Sequence, residues 1–102
     1  MKLRLALIAS LAATPLMAAD TPEQSCAYQA EIVAAVQQAR KDRVKERDVP
    51  AAIAATSPDW PDNYNAAIPL VAPWVYEQKM KVIRKEDLGA AWKELCLAQI
   101  KG

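Results

Sequence analysis

The chain has 102 residues, with 13 basic and 12 acidic side chains, two cysteines, two glycines and no histidine. Without histidine it lacks the commonest general base and metal ligand, and two cysteines alone cannot complete a zinc site. Gly89 and Gly102 cannot build a glycine-rich phosphate loop, and the near-neutral charge does not indicate nucleic-acid binding. We therefore predict a protein that is not an enzyme and needs no cofactor or metal.

Residues 1–19 have the three parts of a secretory signal peptide. Two basic residues near the start are followed by an apolar run over residues 5–13 and by small residues at Ala18 and Ala19. The run is far shorter than the about 20 residues that span a bilayer as a helix. We predict a cleaved leader, no transmembrane segment after its removal and a periplasmic location. A leader kept as a short anchor is the alternative.

Residues 20–102 are then expected to form a single domain, with Cys26 and Cys96 near its two ends. An isolated cysteine pair in an oxidising compartment predicts a disulfide, with two free thiols as the alternative. Closing a loop of about 70 residues contributes roughly 4 kcal/mol when it is counted as lost chain entropy. That contribution is comparable with the whole net stability of a small domain.

The first predicted helix starts at Thr21, which can act as the N-cap, with Pro22 in the first turn and Gln24 completing a capping box. Apolar residues then recur at helical spacing, with no glycine or proline before the predicted end near Asp42 or Arg43.

A second, shorter helix is predicted from Asp48 to Thr56, with Asp48 as its cap and Pro50 tolerated in its first turn. Residues 57–62 contain two prolines and two aspartates, which is typical of a turn-rich connection.

A third helix is predicted to start near Asp62. Because Pro69 and Pro73 lie inside it, this helix must be kinked or split. Residues 80–83 alternate between apolar and charged side chains, so a short strand and a helix remain open there.

The last helix is predicted from Lys85 to Ile100, although Gly89 lowers its helix propensity. Its predicted apolar face carries Leu88, Ala91, Trp92, Leu95 and Cys96. The elements together predict an all-α fold, a small bundle of about four helices in up-down order. In that order the two chain ends meet at one pole, which agrees with the Cys26–Cys96 disulfide.

Two segments rich in lysine and arginine, residues 40–47 and 79–85, are predicted to meet at the pole opposite the disulfide, and we call them the basic pole. We expect this surface to dock an acidic protein or an anionic envelope component. The alternative is that these charged segments only keep a small bundle soluble. Cations are favourable near the C-terminus of a helix, where the helix dipole is negative, and need no partner there. The candidate partner-binding residues are Arg40, Lys41, Arg43, Arg47, Trp60, Lys79, Lys81 and Arg84.

Three tryptophans supply further candidates. Trp74 and Trp92 lie on predicted helices and are expected in the core. Trp60 lies between Pro58 and Pro61 in a connection, so it is the candidate for an exposed interface anchor. Alternatively, the Trp60 side chain folds back onto the core.

The pattern resembles small exported proteins of unknown function from proteobacteria, in which a helix that starts at a cysteine ends in an Ala-Arg step before a Gly-Val turn. The matching residues are Cys26, Ala39, Arg40, Val44, Trp92 and Cys96, with Arg43 in place of the turn glycine. A looser likeness in class is to small acid-activated periplasmic chaperones, which are also helical and closed by a disulfide.

Together these features predict a small periplasmic interaction protein, in one version an inhibitor or immunity-type protein that neutralises a toxin or an envelope enzyme. The alternative function is a stress chaperone that loosens at low pH, when protonated carboxylates no longer balance its basic groups.

Overall fold

The computed structural model describes residues 20–101, so the predicted leader, residues 1–19, lies outside the described residues. The α-helices are α1 (Pro22–Lys41), α2 (Val49–Ala54), α3 (Ile68–Glu77), α4 (Met80–Lys85) and α5 (Leu88–Lys101). Short 3-10 helices cover Glu46–Asp48 and Asp62–Ala67. All regular elements within residues 20–101 are helices, which confirms the all-α prediction. None of the helices in this range is both long and apolar enough to cross a membrane.

Helix α1 is the centre of the bundle and contacts each of the other helices. It begins with the predicted capping box, in which the Gln24 N–H donates to the Thr21 hydroxyl at 3.0 Å and the Thr21 N–H donates to Gln24 Oε1 at 2.8 Å. Its middle turns bury Val33 and Val36 completely. The first helix is therefore confirmed at its start and in its apolar stripe.

The end of α1 is a tight turn closed by backbone hydrogen bonds. The Val44 N–H donates to the Ala39 carbonyl at 3.0 Å, and the Arg43 N–H donates to the Arg40 carbonyl at 3.1 Å. This pattern needs a left-handed residue after the helix, and glycine usually supplies it. Here Arg43 adopts that conformation, with φ of 63°.

The second helix is shorter than predicted, and its cap differs. The Asp48 side chain makes no capping hydrogen bond, because residue 48 already belongs to the preceding 3-10 turn. Pro50 lies in the first turn of α2, as expected. Val49 and Ile53 are the buried side chains of this helix.

Proline divides the third predicted helix in two. Residues 62–67 form a 3-10 helix, and α3 starts with Pro69 in its first turn. The N–H groups of a first turn have no partner within the helix, so the N–H that proline lacks costs no hydrogen bond there. Pro73 lies inside α3. Residues 80–83 are helical, and α4 is a separate element, so residues 20–101 contain five α-helices where about four were predicted.

Helices α3 and α5 run in opposite directions along α1. The Tyr28 and Tyr64 rings lie 5.1 Å apart near the start of α1, and Arg40 lies over the Tyr76 ring near its end, so α3 is parallel to α1. Helix α5 is antiparallel, since Leu88 contacts Gln37 at its start and Cys96 bonds to Cys26 further along.

The buried face of α5 differs from the prediction. Leu88 and Gly89 are buried, whereas Ala91 is exposed and Leu95 is 63% exposed. The cause is a close approach at Gly89, where a Cβ would lie 2.8 Å from the Ala30 carbonyl oxygen. Contact through this glycine rotates α5 and turns Leu95 outward.

The predicted disulfide is present and joins Cys26 in α1 to Cys96 in α5, with 5.6 Å between the Cα atoms. Beside it the half-buried rings of Trp74 and Trp92 contact each other with centroids 5.5 Å apart. The indole N–H of Trp92 donates to Gln29 Oε1 at 3.0 Å. This end of the bundle is held by a covalent bond and by aromatic packing.

Candidate functional site

A single buried glutamine joins α4 to the C-terminal part of α1. Gln37 is 6% exposed, and its Nε2 donates to the carbonyls of Ile83 at 2.7 Å and Glu86 at 2.8 Å. Its Oε1 accepts from the Leu88 N–H at 3.3 Å. Gln37 therefore satisfies the end of α4 and the start of α5 together. This contact holds the basic residues of α4 beside the last turns of α1, at the end of the bundle opposite the disulfide.

Next to the turn that follows α1 lies a cavity of about 360 Å³, which we call the Arg40 pocket. Its lining residues are Arg40, Arg43, Val44, Lys45, Glu46, Tyr76 and Met80. Three cations and one carboxylate thus surround a space whose remaining walls are a valine, a tyrosine and a methionine.

Arg40 is held in the Arg40 pocket by an aromatic face. Its Cζ lies 5.2 Å from the centroid of the Tyr76 ring, within the range of a cation–π contact. Its Nε is shielded from solvent and has no hydrogen-bond partner. The Tyr76 hydroxyl donates to the Val44 carbonyl, which fixes the ring beneath the guanidinium.

Burial raises the pKa of the Tyr76 hydroxyl above its ordinary value of 10.0, because removal from water disfavours the phenolate. The positive charge of Arg40 acts in the opposite direction and lowers this pKa, while the carboxylate of Glu46 raises it further. Tyr76 is therefore a neutral hydrogen-bond donor at physiological pH.

A second cavity of about 360 Å³ lies on the other side of Gln37. It is lined by Ala34, Gln37, Gln38, Lys41, Arg84, Lys85, Glu86 and Asp87. Its three cations face two carboxylates, so its charge is closer to balance than that of the Arg40 pocket.

The structure brings together only some of the predicted residues of the basic pole. Arg40 and Arg43 share the Arg40 pocket, and Lys41 and Arg84 share the second cavity. Arg47 faces a different cavity, beside two prolines and Ala72. Lys79 and Lys81 are exposed and line neither of the first two cavities.

Of the two placements predicted for Trp60, the structure has the one folded back onto the core, and the candidate role as an exposed interface anchor is wrong. Its side chain is only 7% exposed and belongs to the core, and its indole N–H donates to Asn65 Oδ1 at 2.7 Å. A tryptophan in a short connection can bury its large ring when a nearby amide satisfies its N–H. Trp60 is therefore not available as an interface anchor.

The lysine and arginine side chains within residues 20–101 make no hydrogen bonds with other described side chains. Within residues 20–101 the side-chain hydrogen bonds use glutamine, asparagine, aspartate, hydroxyl and indole groups, and none uses a lysine or arginine side chain. The donors of the basic pole are therefore free to bind a partner.

Sequence reasoning missed three residues that shape this site. Gln37 and Tyr76 were not among the candidates, and Lys45 was part of the basic run without being singled out. The one available signal was for Gln37, a polar residue directly after Val36 on the apolar stripe of α1. The role of Tyr76 depends on where α3 meets the end of α1, which the pattern of α3 does not encode.

Away from the basic pole, a cavity of about 550 Å³ lies over the disulfide. Cys26, Cys96 and Trp92 form part of its wall, together with the exposed apolar side chains of Leu95 and Ile100. It differs from the Arg40 pocket because no charged side chain lines it.

No group of three or more histidine, cysteine, aspartate or glutamate side chains within residues 20–101 has an arrangement that could hold a metal ion. Comparison of the chain with protein-family models, with curated proteins and with solved structures gave no match.

Proposed function

We propose that this chain is a small non-enzymatic interaction protein that binds an acidic protein through its basic pole. The observation that supports this function is the Arg40 pocket, in which Arg40, Arg43 and Lys45 surround one cavity. None of these side chains makes a hydrogen bond to another described side chain, so their charges are available for complementary contacts.

A protein partner fits this end of the bundle better than a lipid surface. The cations line concave cavities, which receive projecting side chains, whereas a membrane offers a flat array of headgroups. The large apolar residues that are exposed, Leu70, Leu95 and Ile100, lie outside both cavities of the basic pole. A peripheral membrane protein would gain from such residues beside its cations.

In the more specific version of the proposal the protein is an inhibitor or immunity-type protein that acts in the periplasm after removal of residues 1–19. The disulfide and the buried contacts of α1 support this version, because a rigid binding surface loses little conformational entropy on association. The resemblance to small exported proteobacterial proteins stays a prediction.

The test is cross-linking of the tagged protein in intact cells, followed by identification of what is captured. The variant Arg43→Glu with Arg47→Glu reverses two charges of the basic pole. Lys93→Glu with Lys101→Glu is the matched control, because it reverses two exposed charges on α5 and changes the net charge equally.

We expect one stoichiometric protein partner, captured with the unchanged chain and with the control but lost with the basic-pole variant. Capture that survives the basic-pole variant would overturn the proposal. A broad set of envelope proteins captured only after acid shock would favour the chaperone instead.

A further inference from the structure

We propose that the Arg40 pocket is the receptor for a single carboxylate side chain of the acidic partner, with Arg40 and Arg43 as its specificity-determining residues. This inference rests on the proposed function and names the chemistry that the basic pole recognises. In this proposal the Arg40 pocket recognises the carboxylate specifically, and the other cations of the basic pole attract the acidic partner without selecting it.

Charge and size select the ligand. The lining has three cations against the single carboxylate of Glu46, so the empty pocket carries an excess of positive charge. Its volume of about 360 Å³ accommodates a side chain but not a folded element. A guanidinium and a carboxylate match in geometry and form charge-assisted hydrogen bonds, which are stronger than neutral ones.

Arg40 is oriented before any ligand arrives. The Tyr76 ring lies under its guanidinium, and the bond from the Tyr76 hydroxyl to the Val44 carbonyl holds that ring in place. Because the Arg40 Nε has no partner within the chain, part of the hydrogen-bonding capacity of the guanidinium is unused. Because the Nε is itself shielded from solvent, an external carboxylate is expected to bind the accessible part of this half-buried side chain and not the Nε.

Arg43 lies in a backbone conformation that disfavours it. Its φ of 63° is in the left-handed region, where a glycine would be free of steric strain. An arginine at this position sets its side chain at the rim of the Arg40 pocket, next to Lys45. Strained residues of this kind cluster at functional sites, and here the strain coincides with a cationic cavity.

The apolar walls select a ligand with a carbon stem. Met80 and Val44 are half-buried lining residues, and they offer surface to the methylene groups that precede a carboxylate in a side chain. An inorganic anion would make no use of these walls. The Arg40 pocket therefore fits an acidic side chain that projects from a protein.

The test is a titration of the purified, disulfide-bonded protein with an end-blocked hexaglutamate peptide at low salt, followed by amide and arginine Nε–H NMR signals. End-blocked hexaglutamine is the control peptide. We expect saturable shifts at the Arg40 Nε–H and at the amides of residues 43–45, with none at the disulfide end and none with hexaglutamine.

Two variants test the assignment to this pocket. Arg40→Met keeps the aliphatic stem over Tyr76, and Arg43→Gly removes the side chain while relieving the strained backbone, so at least the second should fold. Each is expected to weaken hexaglutamate binding about tenfold, as expected for the loss of a hydrogen bond to a charged group. Lys81→Gln, which removes a cation of the basic pole outside the Arg40 pocket, should weaken it about twofold, the usual effect of one exposed charge.

The outcomes separate this inference from the proposed function. Equal weakening by Arg40→Met, Arg43→Gly and Lys81→Gln would overturn the pocket and leave the basic pole as a diffuse electrostatic surface. No binding of hexaglutamate, or binding only to phosphatidylglycerol vesicles, would also overturn the pocket. In each of these cases the cross-linking result still decides independently whether a protein partner binds the basic pole.

Discussion

The two ends of the bundle are built from different interactions. At one end the Cys26–Cys96 disulfide holds α5 on α1, and the Trp74–Trp92 contact holds α5 on α3. At the other end α4 is held by the hydrogen bonds of Gln37, and the chain turns through a strained Arg43 beside a cationic cavity.

This difference indicates a division of labour between stability and recognition. The disulfide end brings together apolar surface and a covalent bond, which stabilise the fold without needing a partner. The basic pole concentrates positive charge and a strained backbone residue, and apart from the Arg40–Tyr76 contact we expect its charges to become favourable mainly on binding. Substitutions at the disulfide end should therefore change stability alone, whereas substitutions at the basic pole should change stability and binding in separable ways.

The largest expected effect is loss of the disulfide. Replacing both cysteines by serine in Cys26→Ser with Cys96→Ser frees a loop of 70 residues in the unfolded chain and should lower the free energy of unfolding by about 4 kcal/mol. Urea denaturation followed by circular dichroism measures this change. Reduction of the unchanged protein is the control and should give a similar loss. A loss below about 1 kcal/mol would mean that packing alone holds this end and that the unfolded chain is already compact.

Gln37→Met should have the next largest effect, because it leaves the Ile83 and Glu86 carbonyls and the Leu88 N–H without their partner. We expect a loss of about 2–3 kcal/mol, together with faster hydrogen exchange in α4. Gln38→Met is the matched control, since the Gln38 side chain is exposed and bonds only to Asp42. Equal effects of the two variants would contradict the role of Gln37 at the basic pole.

Gly89→Ala should destabilise the contact between α1 and the start of α5 to a smaller extent. Its Cβ would lie 2.8 Å from the backbone oxygen of Ala30, so the two helices must move apart. The overpacking outweighs the better helix propensity of alanine and should lower stability by about 1–2 kcal/mol. Ala90→Ser, at the exposed neighbouring position, is the control. A stabilised Gly89→Ala variant would show that α5 can shift freely on α1.

Much of the fold could be predicted from local sequence signals. The capping box at Thr21 and the prolines that divide residues 57–73 act through neighbouring backbone atoms, so their effects are visible in the sequence. The rotation of α5 could not be predicted in this way. It depends on the fit of Gly89 against Ala30, a contact between residues far apart in the chain.

The candidate site was predictable in its charge but not in its shape. The basic segments are plain in the sequence, and the structure brings Arg40 and Arg43 to one cavity. The same segments gave no indication that Arg47 faces elsewhere, and the sequence left both an exposed and a buried Trp60 open, because both positions depend on how α2 and α3 pack.

Arg43→Gly separates the contribution of the basic pole to stability from its contribution to binding. The variant should stabilise the fold while weakening the binding of an acidic peptide. Relief of the left-handed strain is partly offset by the greater freedom of glycine in the unfolded chain, which leaves a gain of about 0.5–1 kcal/mol. Thermal unfolding measures this gain. Lys45→Gly is the matched control, because residue 45 has an ordinary φ of −68° and glycine there should only destabilise. A destabilised Arg43→Gly variant would mean that the Arg43 side chain stabilises the turn.

The smallest expected effect is a dependence on alkaline pH that comes from Tyr76. Because burial raises the pKa of Tyr76 in the folded state, the folded chain holds this proton more tightly than the unfolded chain. The resulting stability is present below pH 10.0 and is lost as the pH rises through the raised pKa. Tyr76→Phe should flatten this alkaline decline, measured as denaturation midpoints between neutral and alkaline pH. An unchanged decline in Tyr76→Phe would assign it to other groups.

The central position of α1 has a consequence for when the chain can fold. Among the helices of residues 20–101, α1 is synthesised first and has its most extensive contact with α5, which is synthesised after the other four. Closing the core therefore joins residues at opposite ends of the sequence, and such distant contacts form slowly and late. The early part of the chain lacks its principal partner until the ribosome has released α5. Closure of the core is thus expected to wait until α5 has been synthesised and is free to pack on α1.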